Sequence, residues 1–231
     1  MDFCSIASGS SGNCIFVGTD HTNVLIDAGI SGKRVTEGLH AIDRDPKERD
    51  AILITHEHSD HIKGLGVLAR KYGIPVYSTQ GTIQTMLEQN MLGKVDSSLF
   101  HTVAPDIRFE IGELAVLPFR VSHDAAEPVA YRFSCGEKSV AVATDLGYYD
   151  DYIVDHLRGL DAVLIESNHD INMLQVGSYP YYLKQRILGR KGHLSNDNAG
   201  RLLGEILHDR MKAVMLGHLS RENNYEALAM A

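Results

Sequence analysis

The 231-residue chain is 44% apolar and 23% charged, which is typical of a globular protein with a substantial core. Its net charge of −8 argues against a protein that wraps nucleic acid over its whole surface, although it leaves room for a local basic groove. It has three cysteines without a Cys-x-x-Cys pair, no signal-like N-terminus and no apolar run of about 20 residues. These features predict a cytoplasmic protein that does not span a membrane.

Short β-branched and apolar runs predict strands along the chain, and "SGSSGN" (8–13) is expected to be the hairpin turn between the first two. A phosphate-binding loop is the alternative for that segment. Strands are predicted at 2–7, 14–19, 23–29, 51–55, 74–79, 114–123, 128–135, 138–145, 161–167 and 212–218. Helices are predicted at 31–42, 61–73, 80–92, 151–160, 181–188, 196–209 and 222–230. This order predicts a single α/β domain over residues 1–231, with two mixed β-sheets packed together and helices outside.

Acidic residues or histidines stand where six of the apolar strands end. They are Asp27, His56, His123, Asp145, Glu166 and His218. In layered α/β proteins, functional sites are built at strand ends and in the loops beyond them. We therefore expect these six side chains to converge on one site.

The strongest motif is "THEHSDH" (55–61), directly after a predicted buried strand. His56 and His58 are two residues apart in extended backbone and point to one side, while Asp60 and His61 follow as the chain turns into a helix. Three imidazoles and a carboxylate suit a divalent ion such as zinc, and two ligands for each of two ions fit this cramped geometry best. A solvated His-rich loop is the alternative, and the buried strand in front disfavours it.

His-x-His-x-Asp-His after a strand resembles the signature of the metallo-β-lactamase fold superfamily, which implies a four-layer αββα sandwich. The resemblance implies that Asp27 hydrogen-bonds a ligand and that Asp145 bridges two divalent ions, zinc first, with manganese or iron as alternatives. It implies the metal ligands His56, His58, Asp60, His61, His123, Asp145 and His218.

The tetrapeptide Gly-His-Leu-Ser occurs twice, at 192–195 and 217–220. His218 follows an apolar strand, where the superfamily has its last metal ligand. His193 follows a basic loop and precedes Ser195 and Asn196, either of which can cap a helix. The pair resembles the ribonuclease Z-like, nucleic-acid-processing branch, which implies that His193 is the general acid. A contact to substrate phosphate without proton transfer is the alternative for His193.

A narrower resemblance is carried by "SIASGSSGN", "THEHSDHIKGLGVLARKYGIPVY", "ESNHD" and "GHLSNDNAG". Together they resemble a small bacterial subgroup regarded as double-stranded DNA exonucleases. This implies a phosphodiester hydrolase acting on DNA, with Asp60 and His193 as catalytic residues. Val142 stands where ribonuclease Z-like enzymes have the Glu that partners the acidic His, and Glu166 is the candidate replacement. The chain also ends soon after its last ligand, so we expect a truncated C-terminus.

A basic stretch surrounds the first tetrapeptide. The candidates for substrate binding are Lys184, Arg186, Arg190, Lys191 and His169. Tyr179, Tyr181 and Tyr182 lie alongside and could stack on bases. The alternative is a solvated helix face with core tyrosines. A small-molecule thioester or lactone hydrolase, similar to glyoxalase II, is the rival to a nuclease.

Overall fold

The computed structural model describes residues 1–231 as two six-stranded sheets. The first sheet is ordered β1 (Asp2–Ala7), β2 (Cys14–Gly18), β3 (Asn23–Ile26), β4 (Ala51–Leu53), β5 (Val76–Thr79) and β6 (Phe100–Val103). The second is ordered β12 (Ala213–Gly217), β11 (Ala162–Glu166), β10 (Lys138–Ala143), β9 (Val129–Cys135), β8 (Leu114–Arg120) and β7 (Phe109–Ile111). Both sheets are mixed: β3 to β6 and β10 to β12 run parallel, and the other neighbours are antiparallel.

Nine α-helices connect these strands. They are α1 (Gly32–His40), α2 (Ser59–Ile62), α3 (Leu65–Tyr72), α4 (Gln80–Glu88), α5 (Asp151–Leu157), α6 (Ile171–Val176), α7 (Tyr181–Leu188), α8 (Asn196–Ile206) and α9 (Glu226–Ala229). A 3-10 helix spans Ser97–Leu99. None of the helices combines the length and apolar character that crossing a bilayer requires.

Three apolar clusters separate four layers. One lies between the two sheets and joins Val17 to Tyr131. A second packs the outer face of the first sheet against the helices that carry Leu39 and Leu68, and a third packs the second sheet against the helix that carries Leu202. Strands such as β2 and β3 are buried on both faces, which explains why they are continuous apolar runs rather than alternating patterns. The predicted αββα sandwich is confirmed.

The bounds of several predicted elements are wrong. The helix predicted over 61–73 is divided into α2 and α3 at Gly64, whose N–H donates to the carbonyl of Ala28 at 2.7 Å. A Cβ at this position would lie 2.2 Å from the carbonyl oxygen of Ile30, so the close approach of two backbones requires glycine and ends α2. The sequence patterns also missed β6, β7 and α6, which are too short to show a period. The helix predicted over 222–230 is confined to α9.

"SGSSGN" connects β1 to its antiparallel neighbour β2, so the predicted hairpin turn is confirmed. The carboxyl ends of β3 and β4 lie at one edge of the first sheet, and those of β10, β11 and β12 at one edge of the second, because parallel strands end together. The segments that follow these five strands, together with the loop after β8, carry most of the candidate site.

Candidate metal centre

The seven candidate ligands come together where segments that follow strands of both sheets meet. His56 and His58 lie on the loop after β4, and Asp60 and His61 on α2. The second sheet supplies the others from the loops that follow β8, β10 and β12, namely His123, Asp145 and His218. Their ligand atoms form neighbouring groups, and within each group the atoms lie within 4.8 Å of one another.

Two groups of ligands lie on either side of Asp145. One consists of His56, His58 and His123, and the other of Asp60, His61 and His218. Asp145 Oδ1 lies 3.5 Å from His123 Nε2, and its Oδ2 lies 3.2 Å from His61 Nε2. One carboxylate therefore faces a histidine of each group, which is the arrangement that a bridging ligand requires.

The outer nitrogens of the histidines are held by hydrogen bonds. His61 Nδ1 donates to Asp27 Oδ2 at 2.7 Å, and His123 Nδ1 donates to the carbonyl of Gly192 at 3.0 Å. His218 Nδ1 donates to Glu166 Oε1 at 2.9 Å. These bonds fix each ring so that its Nε2 atom faces the centre, as in protein metal sites.

Two buried atoms of the candidate ligands form no hydrogen bond within the protein, although Asp145 Oδ2 lies within ion-pair distance of His61. His56 Nε2 and Asp145 Oδ2 are buried and accept no hydrogen bond. Buried polar atoms are almost always satisfied, so these two require a partner that the chain does not contain. Imidazole nitrogens and carboxylate oxygens are ligands for divalent ions such as zinc. The residues present therefore fit the metal ions that the fold implies.

The electrostatics of the centre favour cations. Burial raises the pKa of Asp145, but the imidazoles of His218 and His61 outweigh it and hold that pKa well below its usual range. Burial lowers the pKa of His218, yet the carboxylates of Asp145, Asp60 and Glu166 raise it to about 10. The clustered carboxylates thus hold protons on neighbouring imidazoles, and a divalent ion would replace those protons.

Three residues of the centre adopt left-handed backbone. The φ angles of Asp27, Asp145 and His218 are 61°, 58° and 55°. This conformation costs roughly 1–2 kcal/mol for a residue with a side chain, although Asp, Asn and His tolerate it better than most. The strained backbone of these three residues lies just after the ends of β3, β10 and β12. Strained backbone is common at functional sites.

The two Gly-His-Leu-Ser segments have different structures. His218 directly follows β12, whereas His193 precedes α8, whose first turn is capped by the Ser195 hydroxyl accepting from the N–H of Asn198. His193 Nδ1 donates to Glu166 Oε1 at 2.7 Å, so one carboxylate holds both His193 and His218. Val142 is buried between the sheets, and Glu166 is the acid that faces His193.

Burial lowers the pKa of His193, but the adjacent Glu166 carboxylate outweighs it and raises that pKa above its usual value. The other oxygen of Glu166 accepts from the N–H groups of Leu146 and Leu194 at 2.8 and 3.0 Å. Burial raises the pKa of Glu166 itself, but the imidazolium of His193 lowers it to about 2, so the carboxylate stays charged. His193 is therefore held as a charged ring by a fully anchored carboxylate.

A cavity of about 220 Å³ opens over the two groups of ligands. On one side it is lined by His58, Asp60, Asp145 and other members of the metal centre. On the other it is lined by Leu183, Arg186 and Ile187 of α7, and Tyr179 lies just before that helix. Most of the lining residues are polar or charged, which suits a charged substrate.

The basic candidates differ in position. Arg186 lines the cavity, and its Nε donates to Asp124 Oδ2. The Lys184 ammonium donates instead to the carbonyls of Gln175 and Gly177 at 2.8 and 2.7 Å, and Arg190 stacks on the ring of Tyr148 at 3.8 Å. Lys191 is exposed outside the cavity lining, and His169 is 99% buried beside Asn168. The structure thus places only Arg186 of these five at the cavity.

Sequence reasoning missed three contacts at the centre. Asp124 lines the cavity and has a buried Oδ1 without a hydrogen bond. Asn168 Nδ2 donates to the carbonyl of His218 at 2.9 Å. The backbone N–H of His218 donates to Ser8 Oγ, also at 2.9 Å. The signals were adjacency to His123 in "SHD" for Asp124, adjacency to His169 in "ESNHD" for Asn168, and the Gly/Ser turn for Ser8.

Comparison with known proteins identifies the family. Residues 22–218 match the model described as the Beta-lactamase superfamily domain. The chain belongs to the β-lactamase superfamily. Among solved structures, Zn²⁺-bound PqqB from Methylobacterium extorquens has a TM-score of 0.77 to this chain at 19% identity, over 96% of this chain and 90% of that one. The metallo-β-lactamase fold protein YhfI from Bacillus subtilis has a TM-score of 0.73 at 16% identity, over 99% of this chain and 90% of that one, which confirms the fold that the resemblance implied.

Two relatives with closely similar sequences carry nuclease names. The chain is 48% identical to exodeoxyribonuclease WalJ of Streptococcus pneumoniae serotype 2 over 97% of this chain and 83% of that protein. It is 42% identical to exodeoxyribonuclease YycJ of Bacillus anthracis over 99% of this chain and 86% of that protein. The resemblance to exonucleases is therefore confirmed at the level of sequence similarity.

Proposed function

We propose that this chain is a dinuclear metal-dependent hydrolase that cleaves phosphodiester bonds, and specifically a DNA exonuclease. The observation that carries the proposal is one cavity with two ligand groups sharing Asp145 and a separate His193–Glu166 pair on its wall. The exodeoxyribonuclease names of the relatives at 48% and 42% identity support DNA as the substrate. We also propose one domain over residues 1–231 and a cytoplasmic location, which the three free cysteines support.

Zinc is the first candidate for the two metal ions, and manganese and iron are the alternatives, since all three accept these ligands. The first ion would be held by the group of His56, His58 and His123, and the second by the group of Asp60, His61 and His218, with Asp145 between them. When bound, such ions lower the pKa of a coordinated water to about 7 and neutralise charge on phosphate oxygens. Asp27 and Glu166 would hold ligand histidines in position.

His193 supplies the proton for the departing oxygen. Its Nδ1–H is bonded to Glu166, which leaves Nε2 to hold a second proton on a ring that lines the cavity. The raised pKa of His193 keeps this proton on the ring near neutral pH. Proton donation by a positioned side chain accelerates bond cleavage by about 100- to 10,000-fold.

Asp60 and Arg186 position the reactants. Asp60 is half-buried, lines the cavity and accepts hydrogen bonds, so its carboxylate orients the attacking water. Arg186 lies on the opposite wall, where its guanidinium can bind a non-bridging phosphate oxygen. Asp124 holds that guanidinium beside the metal centre.

The test is a nuclease assay on end-labelled duplex and single-stranded DNA and RNA, with zinc- or manganese-loaded wild-type protein. We expect mononucleotide release from DNA ends that a chelator stops and Asp60→Ala abolishes. Cleavage that survives Asp60→Ala would come from a contaminating nuclease and would remove the proposal. Hydrolysis of a thioester or lactone, with no release from any DNA, would favour the small-molecule alternative. Unchanged DNA cleavage by His193→Ala would remove only the general-acid role.

A further inference from the structure

His58 differs from the other candidate ligand histidines at its outer ring nitrogen. Each of the other four has an outer nitrogen within hydrogen-bond distance of a protein oxygen. His58 Nδ1 lies 3.3 Å from His123 Nε2, so Nδ1 faces the centre and Nε2 is the outer nitrogen. His58 Nε2 forms no hydrogen bond, and the closest carboxylate oxygen, Asp124 Oδ1, is 3.9 Å away. The ring of His58 therefore lacks the support that holds the other four.

Asp124 has the complementary feature, a buried acceptor without a donor. Its Oδ1 is buried and forms no hydrogen bond, whereas its Oδ2 accepts from Arg186 Nε. Buried polar atoms are almost always satisfied, so Oδ1 requires a donor. A neutral histidine that coordinates an ion through Nδ1 carries its proton on Nε2. In His58 that N–H faces Asp124 Oδ1, and a small rotation of either side chain closes the gap to a hydrogen bond.

We infer that Asp124 is a positioning residue that holds His58 through Nε2–H, so that Nδ1 faces the first ion, while the same carboxylate holds Arg186. The inference rests on the proposed function, because it takes His58 as a ligand of that ion. Both partners are donors, so the carboxylate serves one with each oxygen. The bond to Arg186 uses Nε, which leaves the two terminal nitrogens of the guanidinium to a phosphate. Metal binding and phosphate binding thus share one support.

A direct bond from Asp124 to the ion is the alternative. Asp124 Oδ1 lies 3.4 Å from His123 Nε2, and two ligands at about 2.0–2.2 Å from one ion can be that far apart. However, Asp124 belongs to none of the groups whose ligand atoms all lie within 4.8 Å of one another, whereas His58 and His123 share such a group with His56. The geometry therefore favours a role behind His58 over a place among the ligands.

The first test is zinc affinity, measured by competition with a chromophoric chelator in the absence of DNA. Asp124→Ala should weaken the binding of one of two zinc ions by about 10- to 100-fold, as loss of a ligand histidine's partner usually does. Asp155→Ala is the matched control, because Asp155 accepts from Arg158 at 2.8 Å in an exposed pair outside the cavity lining. Its zinc affinity should equal that of wild type. Equal zinc affinity in Asp124→Ala and Asp155→Ala would overturn the inference and show that water suffices for His58.

Asp124→Asn gives a sharper test, because an amide has one acceptor oxygen for the two donors. Competition from Arg186 for that oxygen should weaken zinc binding in this variant. Asp124→Asn/Arg186→Ala removes the competing donor, so the amide oxygen can accept from His58. Its zinc affinity should exceed that of Asp124→Ala/Arg186→Ala by about fivefold, the equivalent of one hydrogen bond. Equal zinc affinity in the two double variants would point to direct coordination by the carboxylate and overturn the inference.

Nuclear magnetic resonance of the imidazole nitrogens shows the bond itself. In zinc-loaded wild type we expect His58 to carry its proton on Nε2 and to show a slowly exchanging N–H resonance. Asp124→Ala should lose that resonance through exchange with water, while the Nδ1–H resonances of His61 and His218 remain. A His58 ring without a proton on Nε2 in zinc-loaded wild type would overturn the inference, because Nε2 would then be the ligand atom.

These measurements separate the two proposals, because none of them uses DNA cleavage. If wild type binds zinc and releases no nucleotides from DNA while Asp124→Ala loses zinc affinity, the nuclease function fails and the positioning role stands. If wild type degrades DNA and Asp124→Ala keeps wild-type zinc affinity, the positioning role alone fails.

Discussion

The two halves of the metal centre are built in different ways. The half on the first sheet comes mainly from one local segment, since His56, His58, Asp60 and His61 lie within six residues. The half on the second sheet is collected from the ends of separate strands, with Asp145, Glu166 and His218 following or ending β10, β11 and β12. The first half offers candidate metal ligands, whereas the second also holds His193.

This difference has a functional consequence. In the first half, Asp27 accepts hydrogen bonds from His61 and from Thr55, both within the metal-binding segment. In the second half, Glu166 holds His218 and His193 with one oxygen. A change at Asp27 should therefore alter metal binding alone, while a change at Glu166 should alter metal binding and proton transfer together.

The largest effect is expected where the halves meet. Asp145→Asn preserves the left-handed backbone, which Asn tolerates, but it removes the negative charge that faces both ligand groups. Several kcal/mol of transition-state stabilisation should be lost, so kcat should fall by about 1,000-fold or more. Metal content by mass spectrometry should fall with it. A variant with normal metal content and activity would contradict a bridging role for Asp145.

The comparison of Asp27→Asn with Glu166→Gln tests the two supporting carboxylates. Each change should weaken metal affinity by about 10- to 100-fold, because each removes the charged partner of a ligand histidine. Raising the metal concentration should restore kcat in Asp27→Asn. It should not do so in Glu166→Gln, because His193 has also lost its charged partner. Titration of kcat against metal concentration measures this recovery in both variants. Equal recovery of kcat in Asp27→Asn and Glu166→Gln would show that Glu166 acts on metal binding alone.

A smaller effect is expected from backbone packing in the first half. A Cβ at Gly29 would lie 1.6 Å from the carbonyl oxygen of Asp60, so Gly29→Ala must displace α2. We expect a loss of about 1–3 kcal/mol in the free energy of unfolding, measured with urea, together with reduced metal affinity. Normal stability with normal metal binding would show that Asp60 is not held by this contact.

The smallest effect is expected on α8, which follows His193. Nothing lies within 4 Å of a Cβ at Gly200, so Gly200→Ala should raise the free energy of unfolding by about 0.5–1 kcal/mol through helix propensity. Urea denaturation measures this gain, and activity should match wild type. A loss of stability would show that α8 packs more tightly than the structure indicates.

The same contrast explains what the sequence could predict. The loop at 55–61 was recognisable because its four candidate ligands are local, and β4 was evident as an apolar run. His123, Asp145 and His218 could be assigned from their position after strands and from the family resemblance. Two packed sheets with helices outside followed from the order of apolar runs, and the αββα sandwich followed from the family resemblance.

Long-range contacts were not predictable from local patterns. The left-handed backbone of Asp27 and Asp145 depends on how the strands enter the centre, which residue type alone does not indicate. Lys184 was expected to bind substrate, but its ammonium bonds carbonyls that α6 and its following turn bring within reach. Asp124 accepts a hydrogen bond from Arg186, which lies 62 residues later in the chain. No rule of local residue spacing predicts such a contact.

The identical Gly-His-Leu-Ser segments allow the most direct test of the account. His193→Asn and His218→Asn make the same change in both, and Asn tolerates the left-handed backbone at His218. The account predicts that His193→Asn keeps wild-type metal content while DNA cleavage falls by about 100- to 10,000-fold. It predicts that His218→Asn loses bound metal. Equal metal loss in both variants, or wild-type cleavage by His193→Asn, would contradict it.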